Sequence, residues 1–211
     1  MIEKNFRSLG KIILLPIAKA LTVIGVTANM ITIVGLLVNA IAAFFLATGR
    51  LVVAGILILF GGCFDAMDGV VARFSGKDES NASGALLDSV IDRYSEAVIF
   101  LGAMIYFYHL SHRLGVILVF ASVIGSILVS YVRARAEGLQ VECKVGLMQR
   151  PERIALLALG LLVQGFIVDV PWASNGIILV CVFAFLALTA HVTALYRLVF
   201  AFSRLNSGSS D

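Results

Sequence analysis

Six long apolar runs, separated by short polar breaks, dominate this chain of 211 residues. The runs lie at roughly 29–49, 51–72, 85–108, 113–136, 152–168 and 174–200. A helix needs about 20 predominantly apolar residues to cross a bilayer, and each run is close to that length. We therefore predict an all-α integral membrane protein. Residues 1–211 would form a single membrane domain, with a bundle of six transmembrane helices over 29–200.

Composition supports this fold class and excludes others. Hydrophobic residues make up 60% of the chain, charged residues only 14%, and the mean hydropathy is +1.02. Soluble domains are about 45–50% apolar and about one quarter charged, so an ordinary soluble domain, a disordered chain and a nucleic-acid-binding module are excluded. The three cysteines have no metal-ligand or redox spacing, which argues against a disulfide framework or a zinc site.

The first 22 residues precede the bundle and need a separate interpretation. Apolar residues recur there at helical spacing, and basic residues lie elsewhere around the turn; the apolar set is Ile2, Phe6, Leu9 and Ile13. This pattern is typical of an amphipathic helix on the membrane surface. A cleaved signal peptide is the alternative, but the apolar run at 12–17 is short and Lys19 stands at the supposed cleavage site. We favour a juxtamembrane helix over 1–22.

Basic residues predict the orientation of the bundle. Thirteen of the sixteen Lys and Arg residues fall on the side that holds both termini and the loops at 73–83 and 133–153. Because positive charge is enriched in cytoplasmic loops, both termini are expected to face the cytoplasm across the cell membrane.

Four carboxylates stand at the ends of two neighbouring apolar runs. Asp65 and Asp68 close the second run, and Asp88 and Asp92 open the third. The spacings i,i+3 and i,i+4 place each pair on one helical face, and the short loop predicts that the two helices are direct neighbours with their acidic ends level. Such a cluster needs a counter-charge, and oxygen ligands favour Mg²⁺ or Mn²⁺. Two metal ions held by shared carboxylates are a recurring device for phosphoryl transfer.

The residues around the carboxylates fit a phosphate ligand. Gly69 and Ala72 leave their helical face open, Arg73 can pair with phosphate, and Gly84 permits a close approach to its helix. The alternative is a divalent-cation or proton transporter that uses the same carboxylates. Glu96 is expected either to support the site from behind or to pair with Arg93.

The pattern Asp65-x2-Asp68-Gly69-x2-Ala72-Arg73 … Gly84-x3-Asp88-x3-Asp92 resembles the motif of the CDP-alcohol phosphotransferases, a family with six transmembrane helices after a juxtamembrane helix. The resemblance implies that the four aspartates bind two Mg²⁺ or Mn²⁺ ions and that Asp92 is also the general base. It further implies a site for the CDP-lipid, formed by Asn29, Thr32, Asp65, Gly69, Ala72, Arg73, Asn81 and Gly84. Two departures stand out: Ala28 replaces the usual proline, and the loop between Arg73 and Gly84 is two residues longer, so Ser80 or Ser83 are alternatives to Asn81. Helix capping by Thr27 or Asn29 is compatible with these roles.

Two arginine-rich blocks concern the acceptor. Ser130 to Glu137 reads SYVRARAE, and Arg150 to Arg153 reads RPER. Arginines beside a metal site suit a phosphate monoester, whereas anchoring to the inner leaflet explains them equally well on spacing alone. The blocks resemble those of prokaryotic phosphatidylinositol-phosphate synthases, and that resemblance implies an acceptor-phosphate site of Ser130, Arg133, Arg153 and Arg197.

The expected reaction is transfer of a phosphatidyl group from CDP-diacylglycerol to a phosphorylated polyol, inositol 1-phosphate foremost, with release of CMP. Glycerol 3-phosphate as acceptor, an archaeal ether-lipid donor and a soluble CDP-inositol donor are the alternatives within the family. The family resemblance also implies a homodimer.

Overall fold

The structure is a computed structural model that describes residues 16, 20, 22–74, 82–146, 148–170 and 175–207, without the side chains of residues 66, 68–70, 72–74 and 207. The predicted juxtamembrane helix over 1–22 lies almost wholly outside the described residues. The described part contains helices and no strands. The six helices are α1 (Ala28–Ala47), α2 (Leu51–Phe74), α3 (Ala82–His109), α4 (Arg113–Glu137), α5 (Arg150–Phe166) and α6 (Ile177–Ser207).

Helix boundaries follow local signals in the sequence. The Thr27 hydroxyl caps α1 by accepting a hydrogen bond from the Met30 N–H at 3.3 Å. Gly49 adopts a φ of +79° in the tight turn between α1 and α2. His112 caps α4 through its Nδ1, which accepts from the Gly115 N–H at 3.0 Å. Pro151 stands in the first turn of α5, where its missing N–H costs nothing.

Three helices are long and apolar enough to cross a membrane by length and composition: α1, α4 and α6 over Ile177–Asn206. Within the described residues the other helices fall short for identifiable reasons. The apolar part of α2 is Leu51–Asp65, α3 carries Asp88, Asp92, Arg93 and Glu96 along its first four turns and a little beyond, and α5 has only 17 residues. The same charged residues that indicate a site therefore lower the apolar character of the helices that hold it.

The six helices form a closed ring. Going around it, α1 packs on α2, α2 on α5, α5 on α6, α6 on α4, α4 on α3, and α3 on α1. Ion pairs of Arg150, at the start of α5, join it to Asp65 in the second half of α2 and to Asp92 in the first half of α3, as expected if successive helices alternate in direction.

The ring has an apolar half and a polar half. The main core gathers buried residues from the end of α1 and α3, the start of α2 and α6, and the middle of α5, among them Leu46, Ile58, Phe107 and Leu161. Phe100 and Phe183 pack edge to face with ring centroids 5.6 Å apart. The opposite half holds the ion pairs that Asp65, Asp92 and Glu96 form with Arg150 and Arg153, so the site lies at one end of the bundle.

The prediction that α2 and α3 are direct neighbours is wrong. Among the described residues this pair is not one of the packed pairs, because α1 lies against both helices. Close packing of α1 on α3 depends on Gly102: a Cβ there would lie 2.5 Å from the carbonyl oxygen of Ala43. Small residues at this contact bring the backbones of α1 and α3 together.

Candidate active site

A single guanidinium joins the carboxylates of two helices at the polar end. Arg150 Nη1, at the start of α5, lies 2.7 Å from Asp65 Oδ2 of α2 and 2.6 Å from Asp92 Oδ1 of α3. Asp88 and Asp65 both lie within electrostatic range of Asp92. The structure therefore brings three of the four predicted aspartates together, although α2 and α3 do not pack on one another. The side chain of Asp68 lies outside the described residues.

This donor set fits a hard divalent cation. Asp65 and Asp92 present oxygens to one positively charged nitrogen, which shows that the two carboxylates can share a cation. Among the described side chains no three His, Cys, Asp or Glu residues are grouped closely enough to hold a metal ion.

Sequence analysis did not include Arg150 among the site residues. Its side chain is 18% exposed, and its Nε is buried without a hydrogen-bond partner among the described residues. The signal was available, since a cluster of four carboxylates requires a counter-charge, but the pattern did not say which arginine supplies it.

Glu96 lies one turn beyond Asp92 and forms a buried ion pair with Arg153. Arg153 Nε and Nη2 donate to Glu96 Oε1 and Oε2 at 2.9 and 3.0 Å. The alternative that Glu96 pairs with Arg93 is wrong. Arg93 Nη1 instead donates to the Ser89 carbonyl at 2.6 Å and lies 3.7 Å from Asp92 Oδ2.

Two of the predicted acceptor arginines are buried. Arg153 is 2% exposed and Arg197 is 4% exposed. Arg197 donates to the carbonyls of Val145 and Val129 at 2.7 and 2.8 Å, and Arg133 and Arg153 both lie within its electrostatic range. The structure therefore groups these three arginines.

The two other residues of the predicted acceptor site, Arg133 and Ser130, are less buried. Arg133 Nε donates to Glu137 Oε1 at 2.8 Å, an i,i+4 pair on the exposed side of α4. Ser130 is half-buried on the same helix, one residue beyond Val129. Both residues lie on the last turns of α4, the helix whose Val129 carbonyl holds Arg197.

The predicted nucleotide residues are described only in part. Thr32 is buried and its hydroxyl donates to the Ala28 carbonyl at 3.1 Å, whereas Asn29 is exposed at the start of α1. Gly84 is half-buried in the first turn of α3. Asn81 and Ser80 lie outside the described residues, and Gly69, Ala72 and Arg73 are placed on α2 by their backbone alone.

Gly35 is a further residue that sequence analysis missed. A Cβ at this position of α1 would lie 3.6 Å from Asp65 Oδ1 and 3.4 Å from Phe64 Cβ. These are ordinary van der Waals separations, and they show that the N-terminal half of α1, which carries Thr32, lies close to Asp65 of the carboxylate cluster. A lone glycine inside an apolar helical run was the available signal.

Comparisons with known proteins identify the family of this chain. The sequence profile of the CDP-alcohol phosphatidyltransferases matches residues 25–197, most of the chain. The chain belongs to this family. The predicted resemblance is confirmed, and the protein is a transferase and an integral membrane protein.

Two relatives give the family match more detail. An archaetidylinositol phosphate synthase from Methanothermobacter thermautotrophicus is 34% identical over 182 residues, which is 86% of each chain. The crystal structure of a Mycobacterium tuberculosis phosphatidylinositol phosphate synthase with CDP-DAG bound is similar with a TM-score of 0.80 and 29% identity, covering 90% of this chain and 94% of that one. A second structure of the mycobacterial protein, in complex with manganese and citrate, has a TM-score of 0.75 and 27% identity, covering 89% and 88%.

Proposed function

We propose that this transferase moves a phosphatidyl-type group from a CDP-lipid, CDP-diacylglycerol foremost, to inositol 1-phosphate and releases CMP. The observation that carries the proposal is the grouping of an aspartate cluster with buried arginines at one end of the bundle. The aspartates suit the diphosphate chemistry, and the arginines suit a phosphate monoester.

The relatives support inositol phosphate as the acceptor more directly than they support a particular lipid. The archaeal relative and the mycobacterial relative both carry inositol phosphate in their names, whereas the lipid part of the names differs. The bound CDP-DAG of the mycobacterial structure supports a CDP-lipid donor. We propose the diacyl lipid as the donor. The experiment below also tests a CDP-linked archaeal ether lipid as the alternative donor.

Two divalent ions, Mg²⁺ or Mn²⁺, would be held by Asp65, Asp68, Asp88 and Asp92. The manganese in the mycobacterial structure supports this assignment, as does the shared cation contact of Asp65 and Asp92. When bound, the ions would offset negative charge on the diphosphate and on the leaving CMP.

The nucleotide would lie between the carboxylate cluster and the start of α1. The small residues Gly69, Ala72 and Gly84 would leave room for it. Its polar contacts would come from Asn29, Thr32, Arg73 and Asn81. The lipid chains would leave the bundle between helices and enter the bilayer.

Asp92 would act as the general base. Its side chain is 19% exposed, so it is reachable from the site while Arg150 holds one of its oxygens at 2.6 Å. Asp92 takes the proton from the acceptor hydroxyl, whose oxygen attacks the phosphorus attached to the lipid glycerol. The bond from that phosphorus to the CMP oxygen breaks, and CMP leaves. Arg133, Arg153, Arg197 and Ser130 would hold the acceptor phosphate and so aim the hydroxyl.

All six helices would span the membrane, with the site and both termini on the cytoplasmic side. The basic residues around the polar end support this orientation. We also propose a homodimer, as the family resemblance implies.

The proposal is tested by CMP release from CDP-diacylglycerol and Mg²⁺ in detergent. Inositol 1-phosphate, glycerol 3-phosphate and free inositol are supplied separately, and an archaeal-type CDP-ether lipid replaces the donor in a parallel set. Release with inositol 1-phosphate alone is the expected result. Release with glycerol 3-phosphate alone would overturn the acceptor, and release only from the ether lipid would overturn the donor.

A further inference from the structure

Glu96 stands where the polar half of the bundle meets the apolar core. It lies one turn beyond Asp92 on α3, and Ile99 and Phe100 of the core lie about one turn further on. Its partner Arg153 is followed on α5 by Leu157 of the same core. The side chains of Glu96 and Arg153 are 6% and 2% exposed, so the pair is buried at the boundary between the polar half and the apolar core.

The contact between the two residues fixes the guanidinium on one edge. Both Glu96 oxygens are used, one by Arg153 Nε and one by Nη2. A guanidinium has five N–H donors in a planar fork, so this bidentate contact leaves the Nη1 edge for another acceptor. Within the described residues Nη1 has a long contact of 3.5 Å with the Met148 carbonyl.

The pair also spans a gap between helices. Among the described residues α3 and α5 are not a packed pair, yet two ion pairs connect them, Asp92 with Arg150 and Glu96 with Arg153. Because no close backbone packing holds α5 against α3 at this point, side-chain contacts must set the position of the arginine.

We infer that Glu96 is a positioning residue for the acceptor: it orients Arg153 so that the Nη1 edge of the guanidinium, whose one contact among the described residues is the long one to Met148, meets the acceptor phosphate. This inference rests on the proposed function, in which Arg153 binds that phosphate. Glu96 itself touches no substrate, and its effect passes through Arg153 alone.

The test compares Glu96→Gln, Arg153→Gln and the double variant with the wild-type protein. Glu96→Gln is expected to raise the KM for inositol 1-phosphate about tenfold or more and to leave the KM for CDP-diacylglycerol within about twofold, since a loss of about 1.4 kcal/mol corresponds to a factor of ten. In the Arg153→Gln background, Glu96→Gln is expected to cause no further rise in the KM for inositol 1-phosphate. Glu142→Gln is the matched control, because Glu142 is exposed and pairs only with Lys144 among the described residues.

An unchanged acceptor KM in Glu96→Gln, an equal rise for both substrates, or a further rise in the double variant would overturn the inference. If Glu96→Gln does not fold, the double variant decides, because it removes both buried charges. An acceptor KM equal to that of Arg153→Gln supports the inference, and a different acceptor KM overturns it. If the wild-type protein uses glycerol 3-phosphate instead, the series is run with that acceptor, so failure of the proposed function and failure of this inference remain distinguishable.

Discussion

Asp92 is the residue on which the proposed chemistry depends most. Arg150 holds one of its oxygens, Asp65 and Asp88 lie within its electrostatic range, and its side chain retains 19% exposure. A positioned carboxylate that removes a proton accelerates a reaction by about 10²–10⁴-fold.

Asp92→Asn should therefore lower the turnover number for CMP release by about 10²–10⁴-fold. Binding of CDP-diacylglycerol should be largely preserved, because the amide keeps the size of the side chain. The rise in unfolding temperature on adding CDP-diacylglycerol measures this binding. Asp169→Asn, an exposed position beyond the end of α5, serves as the control. Full activity in Asp92→Asn would contradict the role of this residue as the base.

Arg153→Ala should raise the acceptor KM more than the donor KM. The change also leaves Glu96 as an uncompensated buried charge, which typically costs about 3–5 kcal/mol of stability, so the unfolding temperature should fall as well. Arg113→Ala, at the exposed start of α4, is the control. An equal effect on both KM values would remove Arg153 from the acceptor site.

Arg150 supplies the positive charge between Asp65 and Asp92. Arg150→Gln should lower the unfolding temperature in buffer with EDTA, because the two carboxylates then repel each other. Added Mg²⁺ should restore more of the lost stability in this variant than in wild type, and Arg150→Lys should behave nearly as wild type. An identical response to Mg²⁺ in all three proteins would argue against this role for Arg150.

At the scale of helices, the site depends on how α1 packs. It packs closely on both α2 and α3, which among the described residues do not pack closely on each other. Gly35 faces Asp65, and Gly102 of α3 faces the backbone of α1 at Ala43.

Gly102→Ala should destabilise the bundle by about 1–3 kcal/mol, the usual cost of overpacking, because the new Cβ would lie 2.5 Å from the Ala43 carbonyl oxygen. Gly62→Ala is the matched control, since a Cβ at that position of α2 meets nothing within 4 Å. Thermal unfolding in detergent measures the stability of both variants. Equal stability of the two variants would contradict the close contact of α1 and α3.

At the scale of the whole molecule, the ring groups the described aspartates and their arginine partners at one end. The apolar runs and breaks predicted all six helices to within a few residues at most ends, because bilayer-length apolar runs and short polar breaks are strong signals. α6 is the exception: it continues to Ser207, beyond the predicted end at 200.

The order of helices around the ring could not be predicted in the same way. Runs that are apolar on all sides carry no face preference, so short loops wrongly implied that α2 packs on α3. The convergence of Asp65 with Asp92 was nevertheless predicted, since it depends only on which ends of the helices share a side. The pairing of Glu96 with Arg153 and the position of Arg150 required the ring itself, because both contacts join helices distant in sequence.

The most direct measurement is the mass of the lipid made by the purified protein from CDP-diacylglycerol, inositol 1-phosphate and Mg²⁺. The proposed function predicts a phosphatidylinositol phosphate formed in equal amount to the CMP released, and none when EDTA removes the metal. Phosphatidic acid as the only lipid product, or no new lipid at all, would contradict transfer to this acceptor.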